Sequence, residues 1–579
     1  MDGINTNLSQ YEMPKDVLHS FASRLPNPCP GNLVLRFAPE PSGYLHLGHI
    51  KAIMLNEFFI NYYGGKLLLR FDDTNPTLES LEFQSTIEED LALLKVNFCG
   101  PTFSSDYLPE LQVTIKELIS KNLAYVDDTD AETIKKERLA KIESKCRNNP
   151  VEKNLKLLEE IFQGTEIGQA CCVRGKIDMQ SANGCMRDPV FWRCNLYPHH
   201  RHGTKYRSWP TYDFCCPLID SWSGITHALR ANEYADRIPM YQWVQDVLNV
   251  RKVEIFEFSR LNLTNTVLSK RKLAKLVQNK FVSGWDDPRF PTVRGLIRRG
   301  IHPDSLRKFM IEIGPSKNTN LMEWDKLLSI NSKTIDNLAK RYSIVQSPYV
   351  VMNISNIPEE KRSLVRSLHP KNPDFGQIHY TLSDTVLVDM NDALNFVEGL
   401  EITLLNAGNV IVKEIFKDDN GTITFVNSEA NLYGNFKTTK FKLHWVSKTD
   451  KLMKGVLHEY DRLINKTQPE KNDEIEEIIN KNNHIQTDIL IEESFSNVAQ
   501  GDYIQLLRVG FARIDKIDDY YHLVLIPGGK TSLQNVKTKI DMNVYTKGSS
   551  ADKDTTKLSK KAQKRAEWKA KKALENGIN

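Results

Sequence analysis

Three common signals are missing from this sequence of 579 residues. The first residues, MDGINTNLSQYEMPKD, have neither a basic start nor an apolar core, so no signal peptide is predicted. The most apolar long stretch, 53–71, is interrupted by polar residues and by Gly64 and Gly65, which argues against a membrane span. A glycine-rich Walker loop is also lacking. We therefore expect a cytosolic protein without membrane attachment, and any ATP site in it must use a different loop.

Cysteine is scarce and irregularly spaced. The nine cysteines are an odd number without framework spacing, which favours a reducing compartment. Candidate zinc ligands fall within thirty residues, namely Cys171, Cys172, Cys185, Cys194, His199 and His200. None of these cysteines forms a Cys-x-x-Cys pair, the spacing of many structural zinc sites. We expect no protein-bound zinc and no other metal ligated by the chain.

The net charge of +4 is concentrated at one end of the chain. Residues 557–572 contain eight Lys or Arg and one acidic residue, whereas the rest of the chain has 69 basic and 72 acidic residues. This basic segment, which includes Trp568, predicts an arm that contacts RNA. A solvated tail without a ligand is the alternative.

The most informative segment is LRFAPEPSGYLHLGHIKA, residues 35–52. A short apolar strand at 33–37 leads into a Pro/Gly turn and then a helix, which is the first unit of a nucleotide-binding α/β sheet. His46 and His49 are three residues apart and share one helix face, and Gly48 between them permits close approach of a ligand. Two imidazoles at a helix N-terminus suit the negative charge of a triphosphate under attack. The segment predicts an ATP site.

A second segment, SRLNLTNTVLSKRKL at 259–273, has complementary chemistry. We interpret it as a short strand followed by a loop of clustered cations, Lys270, Arg271 and Lys272. Such a loop could neutralise the pyrophosphate that leaves ATP. Either segment alone is a weak signal, but the two in this order support each other.

Together the two segments resemble the His-Ile-Gly-His and Lys-Met-Ser-Lys-Ser signatures of class I aminoacyl-tRNA synthetases. Leu47 replaces the usual Ile, and Val267 stands where the generic signature has its first lysine. Further segments resemble the eukaryotic-type glutamyl-tRNA synthetases, namely LRFDDTNP, YVDD, RDPVFWRC, PTYDF, THALRANEY and GWDDPRFPTVRG. The chain is identified as a member of this branch over roughly residues 32–345.

The resemblance implies an α/β fold, with a Rossmann-like catalytic domain, an acceptor-end insertion, a helical connector and a C-terminal β-barrel anticodon-binding region. Short apolar runs beyond residue 342 are themselves typical of barrels. The implied division is a lead-in at 1–30, catalytic halves at 31–125 and 211–280, the insertion at 126–210, the connector at 281–342, the barrels at 343–545 and the basic tail at 546–579. The sheet pattern is expected to resume at YDFCCPLIDS and THALRANEY, the helices of the connector to end near Tyr342, and the acidic stretch 469–484 to form a surface helix or insertion.

The resemblance also assigns site residues. His46, His49 and Lys270 would be catalytic, and ATP would be bound by His46, Gly48, His49, Arg260, Leu261, Ser269 and Lys270. Glutamate would be bound by Arg36, Glu40, Asp72, Tyr212 and Arg230. Arg230 decides the amino acid, because a guanidinium matches a carboxylate and the glutaminyl enzymes usually have Cys at this position.

The implied reaction activates L-glutamate with ATP and Mg²⁺ and transfers it to tRNA(Glu). Glutaminyl-tRNA synthetase and a non-catalytic tRNA-binding scaffold are the alternatives. We expect a monomer, and the resemblance also allows a partner protein, either another synthetase or a tRNA-binding cofactor protein. Charging of tRNA(Glu) alone and charging of both tRNA(Glu) and tRNA(Gln) are both compatible with the sequence. Many relatives have a glutathione-transferase-like domain that has no counterpart in this sequence.

Overall fold

A computed structural model describes residues 8, 11, 13–314, 321–470, 472–495 and 497–528. The basic tail predicted at 546–579 lies outside these residues. The lead-in contains helix α1 (Lys15–Ala22), whose Phe21 ring meets Phe58 of the catalytic core with centroids 4.7 Å apart. The described part of the lead-in therefore contributes a short helix that packs against this core.

The first half of the catalytic region is a parallel sheet flanked by helices, as predicted. Its elements are β1 (Leu33–Phe37), α2 (Leu47–Tyr63), β2 (Gly65–Phe71), α3 (Leu81–Leu93), β3 (Cys99–Phe103) and α4 (Leu108–Ser120). Leu33, Leu35 and Phe37 of β1 are buried. Within the described ranges, no helix is both long enough and apolar enough to cross a bilayer.

An antiparallel sheet separates the two catalytic halves, with strand order β4-β5-β6-β7. The elements of this region are β4 (Ala124–Asp127), α5 (Ala131–Ala140), α6 (Val151–Gln163), α7 (Glu166–Gln169), β5 (Cys172–Gly175), β6 (Val190–Cys194) and β7 (Ser208–Pro210). The change from parallel to antiparallel pairing is what an insertion into the nucleotide-binding sheet produces.

The second catalytic half contains α8 (Tyr212–Trp222), β8 (His227–Ala231), α9 (Ile238–Val247) and β9 (Glu254–Phe258). The prediction that YDFCCPLIDS belongs to the sheet is wrong, because this segment forms α8. Residues 214–221 of α8 are all buried, and a helix buried on every side has no apolar periodicity to distinguish it from a buried strand. Strand β8 adjoins β1, where the backbone N–H of Thr226 donates to the Val34 carbonyl over 2.9 Å.

Strand β10 (Asn262–Leu263) and helix α10 (Lys270–Gln278) complete the predicted second catalytic half. The predicted connector at 281–342 contains α11 (Val293–Arg298), α12 (Pro303–Ile313), β11 (Leu321–Met322) and α13 (Asp325–Asp336). Two predictions are wrong in this region. Lys270, Arg271 and Lys272 do not lie in a loop but form the first turn of α10. The helices end at Asp336 rather than near Tyr342, because the next residues pair with a strand far along the chain.

The C-terminal region is built from strands, as predicted. The first are β12 (Lys340–Tyr342), β13 (Ile344–Gln346), β14 (Tyr349–Ser355), β15 (Ser363–Ser367), β16 (Gln377–Thr381) and β17 (Thr385–Asp389), followed by α14 (Met390–Ala393). The next are β18 (Glu401–Leu404), β19 (Gly408–Lys417), β20 (Ile423–Asn431), β21 (Lys442–Leu443), β22 (Val446–Ser447) and β23 (Met453–Tyr460). The last elements are α15 (Ile475–Ile478), β24 (His484–Ile491), β25 (Tyr503–Leu506), β26 (Gly510–Ile517) and β27 (Tyr521–Leu525).

Fourteen of these sixteen strands form two seven-stranded, barrel-like sheets, and β15 and β16 pair with each other in a separate two-stranded sheet. One seven-stranded sheet has the order β12-β25-β26-β27-β23-β24-β13, and the other has the order β21-β18-β19-β20-β14-β17-β22. In each sheet the two end strands are consecutive in the chain, separated by Ser343 in one case and by His444 and Trp445 in the other. Because such short connections hold the two edges together, each sheet closes on itself.

The predicted surface helix or insertion at 469–484 contains α15, which lies against α10. Lys275 of α10 forms an ion pair with Glu474 over 2.9 Å, and Ile475 is buried in the same cluster as Leu273 and Leu276. The barrel region therefore contacts the helix that begins at Lys270.

Candidate active site

The two histidines are held at the start of α2 by a pair of reciprocal hydrogen bonds. The backbone N–H of Gly48 donates to Nδ1 of His46, and the backbone N–H of His46 donates to Nδ1 of His49, each over 3.1 Å. Their ring centroids are 4.0 Å apart. His46 caps the helix and His49 lies in its first turn, so the two imidazoles face the same side, as the spacing predicts.

Both imidazoles are neutral at neutral pH. Burial is the largest cause of a lowered pKa in both rings, and the charges of Arg260 and Lys270 add to it, as does His49 in the case of His46. Together these effects lower the pKa of His46 to about 2 and that of His49 to about 4. Since each Nδ1 accepts a backbone N–H, each neutral ring carries its proton on Nε2. The pair therefore presents two Nε2–H donors without adding charge, which suits the oxygens of a phosphate.

A cleft of about 650 Å³ extends from these histidines along the carboxyl ends of β1, β2 and β8. It brings together nine of the twelve predicted site residues, namely Arg36, Glu40, His46, Gly48, His49, Asp72, Tyr212, Arg230 and Arg260. The position agrees with the general rule that ligands of open α/β sheets bind beyond the carboxyl ends of the strands.

The other three predicted residues do not line this cleft. The Leu261 side chain is 2% exposed and packs in the hydrophobic core, so it offers only backbone groups to a nucleotide. Ser269 lines a neighbouring cavity of about 450 Å³. The Lys270 side chain reaches from α10 to Gly43, and burial lowers its pKa. Lys272, in contrast, turns away and donates to the carbonyl of Glu470 over 2.6 Å.

Arg230 is a buried cation without a carboxylate partner. It is 5% exposed, and its Nη2 donates to the Tyr212 hydroxyl over 3.2 Å. Its Nη1 is buried without a hydrogen-bond partner in the described part of the chain, and no ion pair to Arg230 occurs there. Tyr234 and Tyr241 place ring centroids 5.4 and 5.2 Å from the guanidinium. A buried, half-satisfied guanidinium in a cleft is suited to an anionic ligand.

A second group of buried charges lies beside Arg36. Nε of Arg36 donates to Oδ1 of Asp220 over 3.2 Å, and Nη1 of Arg70 lies 2.7 Å from the same oxygen. The Tyr241 hydroxyl donates to Oδ2 of Asp220 over 2.9 Å. Burial by itself raises the pKa of Asp220, but the two guanidinium groups outweigh it and hold this pKa well below its usual range. One carboxylate thus orients two arginines at the floor of the cleft.

Sequence reasoning missed Arg70 and Asp220. Arg70 immediately precedes the FDD sequence of β2, and Asp220 is the single acid in the buried part of α8. A charged residue inside an apolar run indicates a buried ion pair. The incorrect prediction of a strand at YDFCCPLIDS obscures this indication for Asp220.

Carboxyl groups also line the cleft, namely those of Glu40, Asp72 and Glu79. Burial raises the pKa of Asp72 to about 6, and Oδ1 of Asp72 lacks a hydrogen-bond partner among the described residues. Glu79, which sequence reasoning missed, is 8% exposed, and burial raises its pKa to about 9. Its Oε1 accepts the Asn75 N–H over 2.7 Å. Glu40 is exposed at the rim. An ammonium group would find acceptors among these carboxyl groups.

Arg260 closes one edge of the cleft by an ion pair. Its Nη1 lies 3.1 Å from Oε1 of Glu233, and both side chains are partly exposed. Exposed ion pairs of this kind contribute little free energy. A phosphate could therefore replace Glu233 as the partner of Arg260.

Two groups of described residues have possible metal ligands close together, Asp73 with His199 and His200, and Asp127 with Asp128 and Cys146. In the first group, Nδ1 of His199 accepts the backbone N–H groups of Arg201 and His202, so its Nε2 carries a proton and donates to the Asp73 carbonyl over 3.0 Å. In the second group, Asp127 pairs with Arg174 over 2.7 Å. His200 differs, because both of its ring nitrogens are buried without a hydrogen-bond partner among the described residues. The expectation of no bound zinc stays a prediction.

Comparison with known proteins agrees with this geometry. Residues 32–337 match the family model of the class I tRNA synthetase (E and Q) catalytic domain, and 339–431 and 442–515 match models of the anticodon-binding domains of the same class. The chain is 47% identical over 486 residues to the cytoplasmic glutamate–tRNA ligase of Arabidopsis thaliana, which covers 84% of this chain and 68% of that protein.

Two further relatives extend the comparison. The probable cytoplasmic glutamate–tRNA ligase of Schizosaccharomyces pombe is 43% identical over 510 residues, covering 88% of this chain and 71% of that protein. The bifunctional glutamate/proline–tRNA ligase of Mus musculus is 41% identical over 537 residues, but this chain spans only 35% of it. On these matches, with a class I catalytic domain followed by anticodon-binding barrels, the chain belongs to the eukaryotic-type glutamyl-tRNA synthetases.

Proposed function

We propose that this chain joins L-glutamate to tRNA(Glu) in the cytoplasm, using ATP and releasing AMP and pyrophosphate. The names of its relatives support the substrate, the reaction and the compartment. The cleft supports the same reaction through its neutral imidazole donors, its unpaired buried guanidinium and its carboxyl groups.

Arg230 is the observation that carries the choice of amino acid. A buried guanidinium with one unpaired nitrogen loses free energy unless an anion reaches it. The side-chain carboxylate of glutamate supplies that anion, whereas the neutral amide of glutamine leaves the charge uncompensated. The Tyr212 hydroxyl fixes the orientation of the guanidinium. The pocket is therefore selective by charge and needs no editing of glutamine.

The remaining contacts to glutamate follow from the other charged groups of the cleft. Asp72, with its unpaired Oδ1, accepts hydrogen bonds from the α-ammonium group. Arg36, oriented by Asp220, faces the carboxylate groups of the substrate. Glu40 at the rim adds negative charge near the ammonium group.

In the first step the α-carboxylate of glutamate attacks the α-phosphate of ATP, and pyrophosphate leaves. The Nε2–H groups of His46 and His49 donate to the phosphate oxygens as charge develops, and the Lys270 ammonium stabilises the leaving pyrophosphate. Gly48 lets the nucleotide approach α2, and Arg260, Leu261 and Ser269 surround its adenosine part. Mg²⁺ accompanies ATP as part of the substrate.

In the second step the terminal ribose hydroxyl of tRNA takes the glutamyl group from the adenylate. We propose that the antiparallel insertion holds the acceptor end, that the two barrels bind the anticodon, and that the basic segment 557–572 adds RNA contact. The proposal includes a monomer without protein-bound zinc, and binding of tRNA before activation of glutamate.

The test is charging of total tRNA with labelled glutamate and, separately, with labelled glutamine. The wild type should charge glutamate alone, and Arg230→Cys should lose about 10²-fold or more in kcat/KM for glutamate. Lys252→Cys, which removes an exposed cation paired with Asp246, is the matched control and should charge normally. Charging of glutamine by the wild type would overturn the proposed substrate, and failure with both amino acids would favour a scaffold.

A further inference from the structure

The Lys270 side chain crosses from α10 to the loop at 41–44. Its Nζ lies 5.5 Å from the ring centroid of Phe83, on α3. On the other side it touches Gly43, where an added Cβ would lie 2.8 Å from Nζ and closer still to Cε. The ammonium group thus rests between a glycine backbone and an aromatic face.

The conformation of Gly43 does not by itself require glycine. Its φ lies outside the left-handed region, so its backbone would accept alanine without strain. The three heavy atoms nearest to an added Cβ all belong to the Lys270 side chain. The lack of a side chain at position 43 therefore makes room for Lys270.

The loop that carries Gly43 is fixed in place. The Tyr44 ring stacks on Trp285 with centroids 5.0 Å apart and meets the edge of Phe83 at 6.0 Å. The backbone N–H of Ser80 donates to the Pro41 carbonyl over 3.1 Å, which ties the loop to the start of α3. A fixed loop can define the position of a flexible lysine.

The other end of the lysine is also fixed. Helix α10 is anchored by buried Leu273 and Leu276 and by the hydrogen bond from Lys272 to the Glu470 carbonyl. Only the four-carbon stem of Lys270 is left free to vary, and such a stem normally samples many conformations in solution.

We propose that Gly43 and Phe83 form a resting site that positions the Lys270 ammonium beside His46 and His49 before ATP binds. They are positioning residues for adenylate formation, and they act through Lys270 without contacting the reacting atoms. This inference rests on the proposed function, because it presumes that Lys270 stabilises the leaving pyrophosphate. It also predicts that the site affects only the first of the two chemical steps.

The experiment uses the full chain and measures the two steps separately. Adenylate formation is measured by ATP–pyrophosphate exchange with glutamate and tRNA present, and transfer is measured by single turnover of synthetic glutamyl-adenylate with tRNA. Gly43→Ala should slow exchange by about tenfold to 10²-fold, the loss that a small displacement of a catalytic group causes, and should leave transfer unchanged. Phe83→Leu should slow exchange by roughly threefold, because only the ring face is lost.

Gly184→Ala is the matched control. Gly184 has no positive φ, and no described atom lies within 4 Å of an added Cβ, so this variant should match the wild type in both steps. Lys270→Met should slow exchange by about 10²-fold or more. In the double variant, Gly43→Ala should cause no further loss on the Lys270→Met background, because its effect passes through the lysine.

Three results would overturn the inference. One is a Gly43→Ala variant that matches Gly184→Ala in exchange. Another is a Gly43→Ala variant that loses as much activity in transfer as in exchange. The third is a Gly43→Ala loss in exchange that remains undiminished on the Lys270→Met background. The second and third results would each indicate a general structural defect. If Lys270→Met shows normal ATP–pyrophosphate exchange, the proposed role of Lys270 is wrong as well. If Lys270→Met is inactive in exchange but Gly43→Ala is normal, only the proposed resting site is wrong.

Discussion

Asp220 and Arg36 lie 184 positions apart in the sequence, yet a buried hydrogen bond of 3.2 Å joins them at the floor of the cleft. The same carboxylate oxygen lies 2.7 Å from Arg70, and all three side chains are nearly inaccessible to water. Among the described residues, Asp220 is the one carboxylate that pairs with Arg36 or Arg70, and no carboxylate pairs with Arg230. Three buried guanidinium groups thus share one paired carboxylate, which suits a substrate that brings carboxylates of its own.

Asp220→Asn should destabilise the protein strongly, because it leaves two buried guanidinium groups without a counter-charge. Breaking one partner of a buried ion pair costs roughly 3–5 kcal/mol, which urea unfolding would detect. The KM for glutamate should rise as Arg36 loses its orientation. Asp246→Asn, which breaks an exposed pair with Lys252, should change stability by less than about 1 kcal/mol. Equal stability of the two variants would contradict the assignment.

Tyr212→Phe should weaken glutamate binding and spare ATP binding. The substitution removes the acceptor of the Nη2 hydrogen bond of Arg230, and an unsatisfied buried donor costs about 1–3 kcal/mol, or roughly tenfold in the KM for glutamate. Tyr234→Phe is the control, because its ring also lies near Arg230 but its hydroxyl makes no hydrogen bond to a described residue. Steady-state kinetics with each substrate varied in turn would separate the two. A matching rise in the KM for ATP would argue against a glutamate-specific role.

The buried histidines should make stability fall in mild acid. The pKa of His49 is about 4 in the folded protein and about 6.5 when unfolded, so only the unfolded state takes up a proton between these values. Stability from His49 is therefore complete above about pH 6.5 and falls as the pH drops toward 4, by roughly 3 kcal/mol in all. His49→Gln should lose this part of the pH dependence in urea unfolding at several pH values.

Exposed His379 offers the control for that experiment. His379→Gln should keep the pH dependence of the wild type, since an exposed ring is solvated in both states. If His49→Gln and the wild type lose stability in parallel between pH 6.5 and 4, the imidazole of His49 does not remain neutral over that range.

Ile475→Ala should affect catalysis from within the barrel region. Ile475 is 1% exposed and packs in the cluster that supports α10, so the cavity should cost about 2–5 kcal/mol and loosen the helix that carries Lys270. Adenylate formation should slow, with little change in the KM for glutamate. Val113→Ala, at a side chain 67% exposed, should change neither quantity. Normal ATP–pyrophosphate exchange by Ile475→Ala would show that α15 does not support Lys270.

Local patterns in the sequence predicted most of the secondary structure. The strand at 33–37, the helix after His46 and the alternating strands beyond residue 342 each follow from short-range periodicity and turn residues. The failures have a common cause. Helix α8 is buried on all sides and shows no amphipathic period, and β12 is extended because it pairs with a strand more than 160 residues away.

The candidate site divides in the same way. The shared orientation of the two histidines could be predicted, because they lie in one helix turn and are three residues apart in the sequence. The interpretation of Lys270, Arg271 and Lys272 as one cationic group is wrong, because they lie on different faces of a helix. Lys272 donates to the Glu470 carbonyl, whereas Lys270 lies over the Phe83 ring.

The sequence by itself determined the chemistry that is available: two imidazoles at a helix start, a lysine after the strand at 262–263, and Arg230 among apolar neighbours. Only the tertiary structure decided which charges are paired, since Asp220 pairs with both Arg36 and Arg70, while Nη1 of Arg230 has no partner among the described residues. Periodicity and capping act over a few residues and can be detected along the chain. Burial, pKa and ion pairing depend on groups that folding brings together from distant segments, so they emerge only when the chain is packed.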